Sequence, residues 1–170
     1  MVDEHKRPVS DVAVVPVVST STGLSVGPDG NGISTGGRTY IAKPFEWSSG
    51  ENLMKDHLQS KLAMIWPLPP YVGVTSRRWV GKWLILAKNC DPLVLTMNEI
   101  ASNSYVSEAE RESTDRVFVL RRSTGTSRER LIDALVAPQP ILEVVGGYLN
   151  YPIEEAELDQ GSLELLRRQR

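Results

Sequence analysis

Five valines and one alanine crowd into Val12–Val18, and only Pro16 interrupts them. A β-branched run of this kind favours an extended strand. Because proline cannot donate a ladder hydrogen bond, the run predicts a strand at a sheet edge, an apolar arm in want of a partner. Ser19 to Gly37 then becomes rich in Ser, Thr and Gly, with GPDGNG at 27–32 as a turn cluster and Asp29 as the one charge between Val12 and Gly37. Such a stretch buries too little apolar surface to offset its ordering entropy, which predicts a flexible tether.

Beyond the arm the pattern changes. Arg38 to Trp47 predicts a strand ending near Pro44. Ser48 with Glu51 forms a capping box, and Leu53, Met54, Leu58, Leu62 and Ile65 recur at helical spacing up to the stop at Pro67. Asp91 and Pro92 read as N-cap and first residue of a helix presenting Leu93, Val94, Met97, Ile100 and Ala101. Ser107 with Glu110 opens a short acidic helix. Val117–Arg121 predicts a strand, and Thr126 with Glu129 caps a helix carrying Leu131, Ile132, Leu135 and Val136. Ile141–Val145 is the last strand candidate, broken by Gly146-Gly147. Pro152 opens a C-terminal helix in which Glu154, Glu155 and Glu157 precede Arg167 and Arg168, the polarity the helix dipole favours.

Helices outnumber strands in this reading, so the expected fold is α+β: one compact domain with a few short strands packed by several helices. The layout is an arm and tether over residues 1–37, a core over 38–151, and a charged helix or tail over 152–170.

The segment Ser76–Lys88 carries the most physical information. As a helix it gathers Trp79, Val80, Trp83, Leu84, Leu86 and Ala87 on one arc and Arg77, Arg78, Lys82 and Lys88 on the other, with no acidic residue. Such a surface could lie on an anionic membrane or hold a nucleic-acid backbone while the indoles stack on bases. An ordinary core helix with a snorkelling basic rim explains the same pattern and is preferred, with Trp83 at the middle of the apolar arc. As a strand, Trp79, Gly81, Trp83, Ile85 and Ala87 would share one face.

Composition narrows the chemistry. Hydrophobic residues make up 41% and charged residues 24% of the 170, enough for a core without a metal or disulfide staple. The net charge of −2 argues against a surface that is wholly a sink for nucleic acid. A single cysteine, Cys90, fits a reducing, cytoplasmic compartment, and two histidines with one cysteine cannot build a structural zinc site. No secretory leader, lipidation signal or membrane-spanning run is expected. GPDGNG lacks the Lys-Ser/Thr pair and the strand and helix context of a phosphate loop. His57 reads as a boundary residue and Cys90 as a structural thiol. The acidic groups Glu108, Glu110, Glu112 and Glu154, Glu155, Glu157 read as solvated faces. Arg121, Arg122, Arg128 and Arg130, beside Ser123 and Thr124, form a second basic patch able to grip phosphate.

No catalytic, cofactor or metal residue is therefore assigned. The expectation is a non-enzymatic, self-associating structural protein, a matrix-like or coat-like viral component that forms homo-oligomers and enters the virus particle. Self-association is placed on Val12, Val14, Val15, Val17 and Val18, through addition to a neighbour's sheet edge. The alternative is an RNA-binding or host-interacting regulator using Arg77, Arg78, Trp79, Lys82, Trp83 and Lys88, the same residues that would make peripheral contact with an anionic membrane.

Overall fold

In the computed structural model, residues 1–26, 32–48, 53, 58–64, 72–100, 117–123, 127–137 and 142–170 are described. The strands are β1 (Val2–Asp3), β2 (Val12–Val26), β3 (Gly32–Ile41), β4 (Phe45–Glu46), β5 (Leu58–Met64), β6 (Val72–Ala87), β7 (Leu93–Thr96), β8 (Val119–Leu120) and β9 (Glu155–Ala156). The helices are α1 (Met97–Ile100), α2 (Ser127–Val136), α3 (Leu142–Leu149) and α4 (Gln160–Arg168). A seven-stranded mixed sheet runs in the order β5-β6-β2-β3-β9, with β4 pairing β2 and β7 pairing β6, and β1 and β8 form a separate parallel pair. The expected α+β core of short strands packed by many helices is thus corrected: two strands of 15 and 16 residues form the spine of the molecule.

The arm reading is corrected with it. Val12–Val18 lies inside β2, which pairs with β6 on one side and with β3 and β4 on the other. The run is continuously apolar because both faces of this strand are buried. Ala13, Val15 and Val17 pack with Leu84, Leu86 and the helices α2, α3 and α4. Val12 and Val14 pack on the opposite face with Trp83, Ile85, Leu95 and Leu120. Two-sided burial of a central strand erases the alternation that a half-exposed strand would show. Pro16 is tolerated for a local reason. In an antiparallel strand a residue's N–H and C=O point to the same neighbour. The Pro16 carbonyl accepts from the Ala42 amide at 2.8 Å, so the missing donor would point to the gap between the end of β3 and the start of β4. The chain start is also anchored, by β1 and by the Val2 amide donating to the Phe118 carbonyl at 2.9 Å.

The tether reading falls likewise: Ser19 to Val26 and Gly32 to Gly37 pair as the outer half of β2 and β3. Residues 27–31 of the turn cluster lie outside the described residues.

Segment 76–88 is strand, not helix, and carries a bulge. Pro16 pairs Trp83 and Val17 pairs Lys82, but Val18 pairs Val80, leaving Gly81 as the extra residue. A bulge of one residue reverses the alternation beyond it. Trp83, Ile85 and Ala87 therefore share the face of Val12 and Val14, as the strand reading expects. Trp79 falls opposite Ser19, on the other face.

Further corrections follow the same rule that pairing partners override local period. Leu58–Met64, expected in a helix, is strand β5 along the edge of β6. Residues 93–96, also expected helical, extend the sheet as β7, and α1 is a single turn. Ile141–Val145, expected as a strand, largely belongs to α3, which continues through Gly146-Gly147; Ile141 itself is outside the described residues. The helix expected after the turn forms as α2, with Leu131, Ile132 and Leu135 buried; its expected cap Thr126 lies outside the described residues. The C-terminal helix starts later than Pro152: Glu155–Ala156 is β9, and Asp159 caps α4 by accepting the Ser162 amide at 2.8 Å. The acidic helix expected near Ser107 lies outside the described residues.

Candidate interaction surfaces

The inner half of the sheet is covered on both faces, by helices on one and by β1, β8 and α1 with their neighbours on the other. The outer half projects past this core as β5, β6, β2 and β3 side by side. Along β2, β3 and β6 the residues there are mostly Ser, Thr, Gly and Arg, with Leu24 and Val74 half-buried, and Ile33 stands 69% exposed.

The basic and tryptophan residues expected to act together are dispersed over this architecture. Trp83 is 2% exposed and belongs to the core. Lys82 is half-buried on the opposite face, donates to the Leu149 carbonyl at 2.6 Å and lies 5.5 Å from the centre of the Tyr151 ring. Arg77 and Arg78 are both exposed but on opposite faces, since they follow one another in a strand. Lys88 is exposed beyond the far end of β6. Pairing places Arg78 with Thr20, and Thr20 with Arg38, so both guanidinium groups flank Tyr40, at 5.6 Å for Arg38 and 5.7 Å for Arg78. Arg38 also pairs with Glu155 at 2.8 Å. Arg38 and Tyr40 lie some 40 residues from Arg78, and no local signal joins them; only the sheet register does.

The valines assigned to self-association are buried within their own chain. What the sheet does present is backbone. β9 pairs only with Tyr40 and Ile41, so among the described residues β3 from Gly32 to Arg38 has no neighbour on the side away from β2. At the other side of the sheet, among the described residues β5 pairs only with β6. An open edge offers a row of unpaired amides and carbonyls, a ready template for another strand.

The second basic patch is drawn together by the fold. Residues 121–123 are stitched to the turn after β6: the Asp91 amide donates to the Arg121 carbonyl at 2.8 Å, and the Ser123 amide to the Asn89 carbonyl at 2.9 Å. Cys90 and Arg122 form a bridge between these contacts. Asn89, with φ of 60°, supplies the left-handed residue that turns the chain there. Against this wall stands the first turn of α2, and Asn89, Arg122, Ser123, Arg128 and Glu129 line a cleft of about 280 Å³. Burial pushes the Cys90 thiol up from its ordinary pKa; the Arg128 charge opposes that shift, and the charges of Asp3, Asp91 and Glu4 add to it. Cys90 is thus a buried, protonated thiol rather than an activated nucleophile.

Among the described residues no group of three or more His, Cys, Asp or Glu side chains comes together to hold a metal ion. Glu155 is occupied by Arg38, while His57, Glu108, Glu110 and Glu112 lie outside the described residues. No helix among the described residues is long and apolar enough to cross a membrane. Comparison with known protein families, with curated proteins and with solved structures finds no match to this chain.

Proposed function

We propose that this chain is a non-enzymatic structural protein that associates with copies of itself, of the kind that forms a matrix or coat layer in a virus particle. The observation that carries the reading is the open outer edge of β3 over Gly32–Arg38, opposed across the sheet by the second edge at β5. An added strand gains main-chain hydrogen bonds along this edge, and exposed Ile33 gives it an apolar contact. Two different edges on one sheet permit head-to-tail addition that need not close, which is how sheets and filaments grow from identical subunits. Along this edge Arg38 alone carries a charge and none of the residues is proline, and its one irregularity is a bulge at Thr35, where the register with β2 shifts.

The test is light scattering across a concentration series, on the parent and on the double substitution Ile33→Lys with Ser34→Lys. Both positions are exposed, so the variant should melt like the parent yet remain monomeric where the parent gains mass. A parent that stays monomeric throughout, or a variant that associates equally well, would refute the reading. A second reading, contact with RNA, draws on the Arg38, Tyr40 and Arg78 cluster and on Arg77. Salt-dependent binding to single-stranded RNA that weakens on Arg77→Gln with Arg78→Gln would favour it.

A further inference from the structure

We propose that the cleft between the turn at Asn89 and the first turn of α2 is a binding site for a phosphate group, held by Arg128 and Arg122. The inference is independent of self-association, since it concerns neither open sheet edge.

The decisive residue is Arg128. It is 6% exposed, lines the cleft, and its Nη2 has no hydrogen-bond partner. A guanidinium stays protonated at any ordinary pH, so burial cannot be relieved by loss of the proton. A buried charge without a partner is among the costliest features a fold can hold, and such groups ordinarily meet a counter-ion. None of the salt bridges of the described residues involves Arg128. With no salt bridge to it among the described residues, an anion that enters the cleft would pair with it directly.

The rest of the lining specifies the ion. Arg122 brings a second guanidinium, and Ser123 and Asn89 bring a hydroxyl and an amide as neutral donors. The first turn of a ten-residue helix adds the positive end of its dipole. Two planar forks and several neutral donors suit a tetrahedral anion with acceptor oxygens in different directions better than they suit a flat carboxylate. Glu129 also lines the cleft. Its carboxylate would repel a fully ionised oxygen, but it can accept the O–H that a hydrogenphosphate ion still carries. The walls are set in advance by the backbone bonds from Ser123 to Asn89 and from Asp91 to Arg121, so little ordering accompanies binding.

The probes are inorganic phosphate and glycerol 3-phosphate, each compared with sodium chloride at matched ionic strength in melting experiments on the full chain. A ligand that binds only the folded state raises the melting temperature as its concentration rises. Phosphate should do so and chloride should not. A similar rise with glycerol 3-phosphate assigns the site to the phosphate of an ester, whereas a rise with inorganic phosphate alone assigns it to the free ion. Exposed Arg122 changed to Gln should leave the phosphate-free melting temperature unchanged and require about tenfold more phosphate for the same rise, the loss of one charge-assisted hydrogen bond. Arg128→Met, which removes the unpaired charge but keeps an apolar stem, should melt no lower than the parent without phosphate and should not respond to it. The proposal is overturned if phosphate acts no better than chloride or if the response survives both substitutions. It is equally overturned if Arg128→Met melts well below the parent in phosphate-free buffer.

Discussion

Trp83→Ala tests whether the bulge at Gly81 orders the centre of the sheet as described. Trp83 is the largest fully buried side chain of the chain's described core, paired across the sheet with Pro16 and Leu95 and packed with Val12, Val14 and Ile85. A buried aromatic removes on the order of 200 Å² from water, which at about 25 cal/mol per Å² is about 5 kcal/mol as an upper bound. Substitution of a buried Trp by Ala costs about 3–5 kcal/mol once incomplete collapse of the cavity is included. For a chain of this length each kcal/mol lowers the melting temperature by roughly 2–4 °C, so a fall of about 6–20 °C is expected. Trp79→Ala is the matched comparison. With Gly81 bulged out, Trp79 stands on the opposite face, half-exposed, and belongs to none of the buried clusters. Its removal should cost about 1 kcal/mol or less, in line with partial burial. The assay is thermal unfolding followed by far-ultraviolet circular dichroism, because fluorescence would change with the tryptophan itself. Equal losses for the two variants would refute the placement of the bulge. A Trp83→Ala protein that melts like the parent but fails to associate would make that segment an interface instead of core.

Two further outcomes follow from local geometry. A Cβ placed on Gly37 would lie 2.4 Å from the Thr20 carbonyl oxygen, whereas one on Gly81 meets nothing within 4 Å; Gly37→Ala should therefore cost about 1–3 kcal/mol and Gly81→Ala much less, read from paired thermal melts. Asp159 caps α4 and pairs with Lys43, contacts that hold its carboxyl well below the usual range. Because the folded form is the more acidic, this contribution is present above the unfolded pKa of about 4 and is lost as pH falls below it. The gap in melting temperature between parent and Asp159→Ala should thus be present at neutral pH and narrow in acid; a gap that widens in acid would reverse the assignment.

Where an element is held by its own neighbours in sequence, its residues announce it. Helix α2 is an instance: Leu131, Ile132 and Leu135 recur at the spacing that a helix packed on one face requires, and α2 buries all three. The strand at Arg38–Ile41 and the break at Pro44 were legible for a similar reason, since proline ends a ladder wherever its N–H would be needed. The basic patch around Arg122 and Arg128 was visible as a cluster, although not as a cleft.

Elsewhere the local pattern was compatible with two structures, and distant partners chose between them. The valines of β2 look the same whether they wait for another subunit or fill the middle of a sheet; β6, some 60 residues away, decides. Ser19 to Gly37 has too little apolar surface to order itself, yet the hydrogen-bond ladder between β2, β3 and β6 does not depend on side chains. Segment 76–88 mimics a helix because both faces of β6 are buried near its end and Gly81 shifts the alternation midway, so a period-2 strand loses its period. The same register brings Arg38 and Arg78 to either side of Tyr40, and burial turns Arg128, a basic residue just after the turn, into a guanidinium whose Nη2 has no hydrogen-bond partner. The spacing of apolar residues determined the locally stabilised helix, while strand pairing, which joins residues far apart in the chain, decided the sheet and both of its open edges.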